Sequence, residues 1–545
     1  HSIPTDCNQR DERMGWMADA HLYAESAMLN FDAAAFYNNF LRNIRDIQGP
    51  DGSVTDTVPH KFGRRPADPA WGAAYPLIAW YVYLYNGDRR ILEEYYPGIK
   101  AWTDFQRTKS QDGILSYSYY GDWVPAERTP GALVSTFYYF YSADLTARIA
   151  EILGKAADAE AYRKLAAEIQ EAFNRRFWSA DNQWYGNGSQ TSQILPLYLN
   201  LADKERRGAA LGHLRNSIVY YNNIHLMTGI IGTKYGMELL GRSGNLDLAY
   251  DLATQTTYPS WGYMLERGAT TLWELWQERT GPSMNSHNHP MFGSIGAWFY
   301  NTLAGIGLVY DKPGYEVIHF HPPAVRDLHW ASGTLETVRG TVLSSWQRAE
   351  RSFRLEVVIP VGSEAEVFLP KMNLANVAVR EGGALVWSEN AYRSGRPGLT
   401  GARQTDAAVI LQAGSGRYVF EAGPPSGCPT HSAEVLYQHQ VAVARVDGSI
   451  QEPTAVWGQR QPLDRHQAFH QAGSPACGEV QEGNRSEGAT RLDEVDALLG
   501  HCPVPGEDRF RHQRLLSPLD RDFPQAGDPA GSGVVEELAV QGLEG

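Results

Sequence analysis

Asp6-Cys7-Asn8-Gln9-Arg10-Asp11-Glu12-Arg13-Met14-Gly15-Trp16-Met17-Ala18-Asp19 sets four acids and two arginines around one tryptophan near the start of the chain. If a helix begins near Asp11, then Glu12, Trp16 and Asp19 fall at i, i+4 and i+7 and project along one face, with Asp6 on the loop before it. Such a face can grip a polyol. Carboxylates accept hydrogen bonds from neighbouring hydroxyls, an indole covers the apolar side of a sugar ring, and a crowded acid keeps its proton near neutrality for use as a general acid. The same charges would also suit a solvated, salt-bridged helix start, which charged segments usually are.

Working outward, residues 19–310 repeat one texture, helical periodicity broken by polar, Gly- or Pro-bearing turns. The spacing predicts helices over 17–46, 68–86, 88–108, 130–153, 156–176, 190–201, 203–220, 232–241, 245–256 and 292–308. Within 156–177, Tyr162, Leu165, Ile169 and Phe173 recur at steps of three and four, the stripe of a packed helix. About ten such helices suggest a helical toroid with a site at one rim, although periodicity alone does not separate a toroid from a superhelical solenoid. No fixed repeat appears, which leans against the solenoid. After Tyr310 short alternating runs such as Phe353–Ile359 and Ala365–Pro370 predict strands, and further runs near 383–388 and 407–421 complete a β-sandwich over 311–422. From Gly423 onward there is no lysine and little material for a core, so 423–545 reads as a low-order tail or one of non-native origin, such as an out-of-frame reading of GC-rich DNA.

The totals exclude some classes. A net charge of −14 over 545 residues argues against nucleic acid or an anionic membrane as the main partner. No apolar run of about 18 residues is present, so no spanning helix is expected. Four cysteines, three of them beyond residue 427, give neither a disulfide framework nor zinc spacing. The chain opens on His1 and enters the acidic stretch at once, so it reads as truncated at its N-terminus, and its localisation is left open.

DCNQRDERMGWMADA resembles the signature of the family 78 glycoside hydrolases, the α-L-rhamnosidases. Gly268-Ala269-Thr270-Thr271-Leu272-Trp273-Glu274-Leu275-Trp276 and Asn288-His289-Pro290-Met291-Phe292-Gly293 resemble the same family in the expected order. The resemblance spans residues 6–422 and implies a mainly α chain, an (α/α)6 barrel catalytic domain over 1–310, then the β-sandwich as structural support. It also implies hydrolysis of terminal α-L-rhamnose from rhamnose-containing glycosides by inversion, without a cofactor. Asn8 and Met17 depart from the family, whose members often have Pro and Thr there.

Acetal cleavage needs an acid for the departing oxygen, and inversion needs a base for water on the other ring face, with the two carboxyls about 6.5–9.5 Å apart. The resemblance assigns Glu12 as acid and Glu274, set between Trp273 and Trp276 at the edge of a helical stretch, as base. It places Asp6, Arg10, Asp19 and His289 on the sugar hydroxyls, with Arg10 or Asp19 tuning Glu12, and Trp16, Trp71 and Trp123 on the apolar face. Asp11 is a further hydroxyl ligand or a helix cap that points away. Without the motifs, Glu274 would read as a helix-surface acid and the two indoles as core. His287 and His289 lack a third ligand at recognisable spacing, so no metal is expected. Two rivals stay open: an (α/α)6 sugar phosphorylase, which would need a phosphate pocket opposite its acid, and a catalytically silent carbohydrate-binding protein.

Overall fold

A computed structural model describes residues 4, 6, 12–281 and 284–425. Arg10, Asp11 and the predicted tail from residue 426 lie outside the described residues. The helical region runs α1 Met17–Asn30, α2 Ala34–Ile47, α3 Pro69–Gly72, α4 Ala74–Asn86, α5 Arg89–Lys109, α6 Gly131–Ile152, α7 Ala156–Phe177, α8 Gln190–Tyr198, α9 Lys204–Asn216, α10 Ile230–Arg242, α11 Leu246–Ala253, α12 Trp261–Glu266 and α13 Ile295–Trp298.

Two kinds of helix alternate. α4 and α6 are apolar nearly all round and bury almost every side chain, whereas α5 and α7 carry one apolar stripe and turn charged residues outward. A helix that is apolar all round has to be covered on every side. Accordingly α1, α4, α6, α8, α10 and α13 pack side by side, and α13 with the 3₁₀ turn before it closes back on α1, while α2, α5, α7, α9 and α11 lie behind them. The result is a six-hairpin helical barrel. Inner helices α1, α4, α6, α8 and α10 are each followed by an outer helix that leads back to the next inner one, so the six inner helices run in the same direction. The loops that precede them gather at one rim, where the helix dipoles present their positive ends.

Two expected helices are corrected. The run over 17–46 is a hairpin: Phe31 is extended (φ −137°, ψ 154°) and the chain reverses into α2. Nothing in Asn30-Phe31-Asp32 is a Gly or Pro stop, so only tertiary packing marks the break. The run over 292–308 ends as helix at Leu303, and Ile306–Leu308 is instead a strand. A two-strand ribbon, β1 Trp178–Ser179 with β2 Trp184–Tyr185, and the short α12 were not foreseen.

The C-terminal β-domain holds two sheets. One has seven antiparallel strands in the order Ala391–Tyr392, Ala384–Ser388, Ala378–Glu381, Gly416–Gly423, Phe353–Ile359, Gly340–Arg348, Trp330–Thr337. The other has five, Leu399–Gln404, Ala408–Ala413, Glu364–Pro370, Val317–Phe320, Ile306–Leu308, with one parallel pair between the third and fourth. Alternate residues such as Leu355, Val357, Val367 and Phe420 point into the core, as the period-two pattern requires. The sheets are tied to the barrel: Ser344 Oγ donates to Ala304 O at 2.6 Å, Trp346 Nε1 to Leu303 O at 2.8 Å, and Arg326 grips Asp251 through two bonds of 2.9 and 2.6 Å. Among the described residues, no helix is long and apolar enough to cross a membrane.

Candidate active site

The opening stretch does not form one helix face. Trp16 is extended and bridges Thr57, with Met17 N donating to Asp56 O at 2.9 Å and Val58 N to Gly15 O at 2.9 Å. The strand-like pairing requires Gly15, because a Cβ there would lie 2.3 Å from Val58 O. Helix α1 therefore starts at Met17, six residues later than a start at Asp11. Asp19 sits in its first turn, and Glu12 is on the loop. The Glu12–Trp16 contact survives by another route: Trp16 Nε1 donates to Glu12 Oε1 at 2.6 Å.

Glu274 is likewise on a loop and not at a helix edge. Two strands of irregular chain run past each other here. Glu274 N donates to Ser286 O at 2.8 Å, His289 N donates to Leu272 O at 2.9 Å, and Thr271 Oγ1 bonds His287 O. The Glu274 carboxylate is buried between two donors, Ser286 N at 3.0 Å from Oε2 and Trp123 Nε1 at 3.2 Å from Oε1. Each candidate catalytic acid thus accepts one indole N–H.

Near both acids lies Asp6, which with Asp19 and His289 forms a buried trio, only 5, 5 and 3% exposed. His289 Nε2 stands 3.4 Å from Asp6 Oδ2 and 3.5 Å from Asp19 Oδ1. Burial pushes the Asp6 carboxyl up to about 8, with the negative charges of Glu12 and Glu274 adding to the shift. Both acids are therefore close enough to act on Asp6. Asp19 is also held well above the usual carboxylate range, first by burial and then by Asp6, with His289 pulling the other way. Asp6 Oδ1, Asp19 Oδ1 and His289 Nδ1 have no hydrogen-bond partner. Buried polar atoms are rarely left so, and three so close together mark a place for a polar guest. Their ligand atoms lie within 4.8 Å of one another, so the trio could also face a cation. Acids that hold their protons suit hydroxyl groups better. His287 takes no part in the trio and stacks on Trp273 at 4.8 Å.

The aromatic wall is organised by a residue the sequence reading missed. The Tyr120 ring meets Trp71 at 4.3 Å, and Trp16 and Trp123 edge-on at 5.8 and 6.0 Å. Its hydroxyl donates to Asp56 Oδ2 at 2.9 Å, and its backbone N–H donates to Asp68 Oδ2 at 3.2 Å. Asp68 also takes the Tyr119 N–H at 2.5 Å and caps α3 through Ala70 N at 2.9 Å. Both indoles that hold the candidate acids therefore lean on one tyrosine. Trp71, 3% exposed, is largely covered by this packing, while Trp123 keeps part of its surface free. Asp122 fixes Trp123 from behind, accepting from Thr191 Oγ1 at 2.6 Å and from Gly229, Ile231 and Gly232 N–H at 2.9–3.2 Å on the N-terminus of α10. The signal for Tyr120 was present: Tyr119-Tyr120 stands just before Gly121-Asp122-Trp123, whose indole was a candidate for the apolar face.

Comparison with known proteins agrees with the fold. Residues 1–303 match the profile of the bacterial alpha-L-rhamnosidase 6 hairpin glycosidase domain, and residues 307–384 that of the bacterial alpha-L-rhamnosidase C-terminal domain. An alpha-L-rhamnosidase of Formosa agariphila is 35% identical over 391 residues, covering 69% of this chain and 42% of that protein. The structure of an alpha-L-rhamnosidase from Dictyoglumus thermophilum superposes with a TM-score of 0.73 at 41% identity, covering 78% of this chain and 47% of that one. A Streptomyces avermitilis alpha-L-rhamnosidase complexed with L-rhamnose gives a TM-score of 0.69 at 31% identity, covering 77% of this chain and 39% of that one. The chain thus spans about two-fifths of the length of the curated relatives it matches.

Proposed function

Because the chain belongs to the family of bacterial α-L-rhamnosidases built on a six-hairpin glycosidase domain, we propose that it hydrolyses terminal non-reducing α-L-rhamnose residues from rhamnose-containing glycosides with inversion at the anomeric carbon. The observation that carries this reading is the pairing of two indole-held carboxyls with a buried, unsatisfied Asp6–Asp19–His289 trio on which both acids act. Glu274 takes a proton from water as the water oxygen bonds to C1. Glu12 gives a proton to the glycosidic oxygen as the C1–O bond breaks.

Asp6, Asp19 and His289 bind ring hydroxyls, whose donors and acceptors complete the three atoms left unpaired in the free protein. Arg10 and Asp11 join them on the strength of the motif alone. Trp123 and Trp16 offer apolar surface to the sugar, with Trp71 behind them through Tyr120, and this suits a deoxysugar whose C6 is a methyl group. The division into a helical catalytic domain over 1–310 and a supporting β-domain over 311–422 goes with this reading.

Hydrolysis of p-nitrophenyl α-L-rhamnoside, followed by proton NMR with and without added phosphate, tests it. The expected result is β-L-rhamnose as the first product at a rate independent of phosphate. First release of the α-anomer overturns inversion. A phosphate-dependent rate with rhamnosyl phosphate as product identifies a phosphorylase, and rhamnose binding without turnover identifies a silent binding protein.

A further inference from the structure

The aromatic chain that starts inside the pocket does not stop at its edge. Trp16, which holds Glu12, meets the Phe62 ring edge-on at 5.9 Å, and Phe62 is 50% exposed. Beside it Tyr119, 38% exposed, packs edge-on against Tyr120 at 6.3 Å and carries the Arg64 guanidinium over its face at 4.5 Å. Exposed rings that continue an aromatic chain leading to the candidate acid form a contiguous apolar patch, and such patches mark binding ground.

The loop bearing Phe62 is fixed. Thr57 Oγ1 donates to Phe62 O at 2.6 Å, Arg64 N donates to Asp56 Oδ2 at 2.6 Å, and Asp56 N donates to Arg64 O at 3.1 Å. Thr57 and Asp56 are themselves fully buried. Gly63 adopts φ +79° with its α-carbon turned against Asp56, so a side chain there would be strained in both respects. The ring is held out to solvent on a short strap pinned to the barrel, and its exposure is built in.

We propose that Phe62, with Tyr119 and Arg64, forms a platform for the leaving group, taking aglycones that present a ring face, either aryl or pyranosyl. This inference rests on Glu12 being the general acid. The leaving oxygen must then lie beside Glu12, and the group attached to it passes over the side of the pocket where Trp16 and Phe62 stand. A flat apolar face stacks on the phenyl ring, and the Arg64 guanidinium adds donors for peripheral oxygens without entering the rhamnose pocket. The platform sets which rhamnosides are preferred and leaves the bond-breaking steps to Glu12 and Glu274.

The test compares kcat/KM for p-nitrophenyl α-L-rhamnoside, a rhamnosyl-glucoside and methyl α-L-rhamnoside in the parent chain, Phe62→Ala and Phe62→Tyr. The expected result is that Phe62→Ala lowers the preference for both ring-bearing substrates over the methyl glycoside by about 3- to 10-fold, the worth of one ring contact. Phe62→Tyr should restore it, and the inhibition constant of free rhamnose should stay within about 2-fold, since a stacked ring beyond the pocket is not touched by the product sugar. A fall for the aryl glycoside alone restricts the platform to aromatic aglycones and overturns the pyranosyl arm. Equal changes for all three substrates, or no change, overturn the platform while the hydrolase reading stands. A parent chain that cleaves none of the three overturns both.

Discussion

Helix α1 carries two buried acids six residues apart, and their surroundings are opposite. Glu25 faces the Lys234 ammonium at 2.5 Å and the Tyr85 hydroxyl at 3.1 Å. Lys234 also bonds Glu238 at 3.0 Å, and Glu238 takes the Tyr198 hydroxyl at 2.7 Å. Every carboxylate oxygen in that cluster has a donor. Burial alone would lower the Lys234 pKa, yet the Glu238 and Glu25 charges hold it well above its ordinary range, so the cluster keeps its cation. One turn and a half earlier, Asp19 has a second acid and a histidine for company, no permanent cation in hydrogen-bond reach among the described residues, and an oxygen without a donor. The lesson is that burial by itself does not mark a functional site. A satisfied cluster is part of the barrel, and an unsatisfied one is reserved for something that comes and goes.

Substitutions should separate the two by what they damage. Glu274→Gln keeps the side chain's shape but turns an amide NH2 toward one of the two N–H donors that hold the carboxylate, so it should cut kcat by about 10²- to 10⁴-fold while costing about 1–3 kcal/mol of unfolding free energy. Kinetics and urea unfolding on the same preparation check this, and a variant with full activity would remove Glu274 from the mechanism. Lys234→Met should do the reverse. It strands Glu25 and Glu238 in the interior and should cost about 3–5 kcal/mol of stability, with kcat little changed in whatever fraction stays folded. If Lys234→Met is as stable as the parent, the cluster is not the structural counterpart of the site.

Tyr120 tests whether geometry joins the two acids. Tyr120→Ala removes the ring on which both Trp16 and Trp123 lean and should lower kcat by roughly 10- to 100-fold, the scale of loss when positioned groups are loosened. Its KM should rise far less. Tyr120→Phe keeps the ring, loses only the bond to Asp56, and should recover most of the rate. Equal losses in both variants would mean that the hydroxyl matters and the ring does not.

What the sequence made legible divides along the same line. The succession of helices is local information and was legible, whereas periodicity left toroid and solenoid open and the barrel came from the family resemblance. The alternation of all-round apolar and striped helices, as in α4 against α5 and α6 against α7, is what closes it. Asp6, Asp19, Glu274 and His289 were legible as members of motifs, and they do converge. Their backbone settings were not. The pairing of Gly15–Met17 with residues 56–58 and of Glu274 with Ser286 joins segments across loops, and no periodicity records such bonds. Hence the expected helix start at 17 holds, but the conditional start near Asp11, which would have put Glu12 and Trp16 on its face, does not. Likewise Glu274 lies on a loop and not on a helix edge. The Tyr120 hub was hidden for a related reason: its partners lie at residues 16, 56, 71 and 123, on four separate stretches.

The smallest expected effect concerns pH, and it asks whether the unsatisfied cluster strains the free protein. Asp6 holds its proton up to about 8 when folded, but an unfolded aspartate releases it near 4. Folding must therefore take up a proton between those values. The stability associated with protonated Asp6 is complete below about pH 4 and is lost as pH rises toward 8. Asp6→Asn has no such proton to keep, so the variant should gain on the parent as pH rises from 4.5 to 8. The gain should be on the order of 1–2 kcal/mol in urea unfolding, because Asp19, Glu12, Glu274 and His289 readjust around it. Rhamnose added at saturation should shrink the gap by stabilising the parent more than the variant, which lacks the carboxylate. Unfolding curves that run parallel across this range would mean that the Asp6–Asp19–His289 trio is already satisfied in the free protein. The contrast with Glu25–Lys234–Glu238 would then lose its meaning.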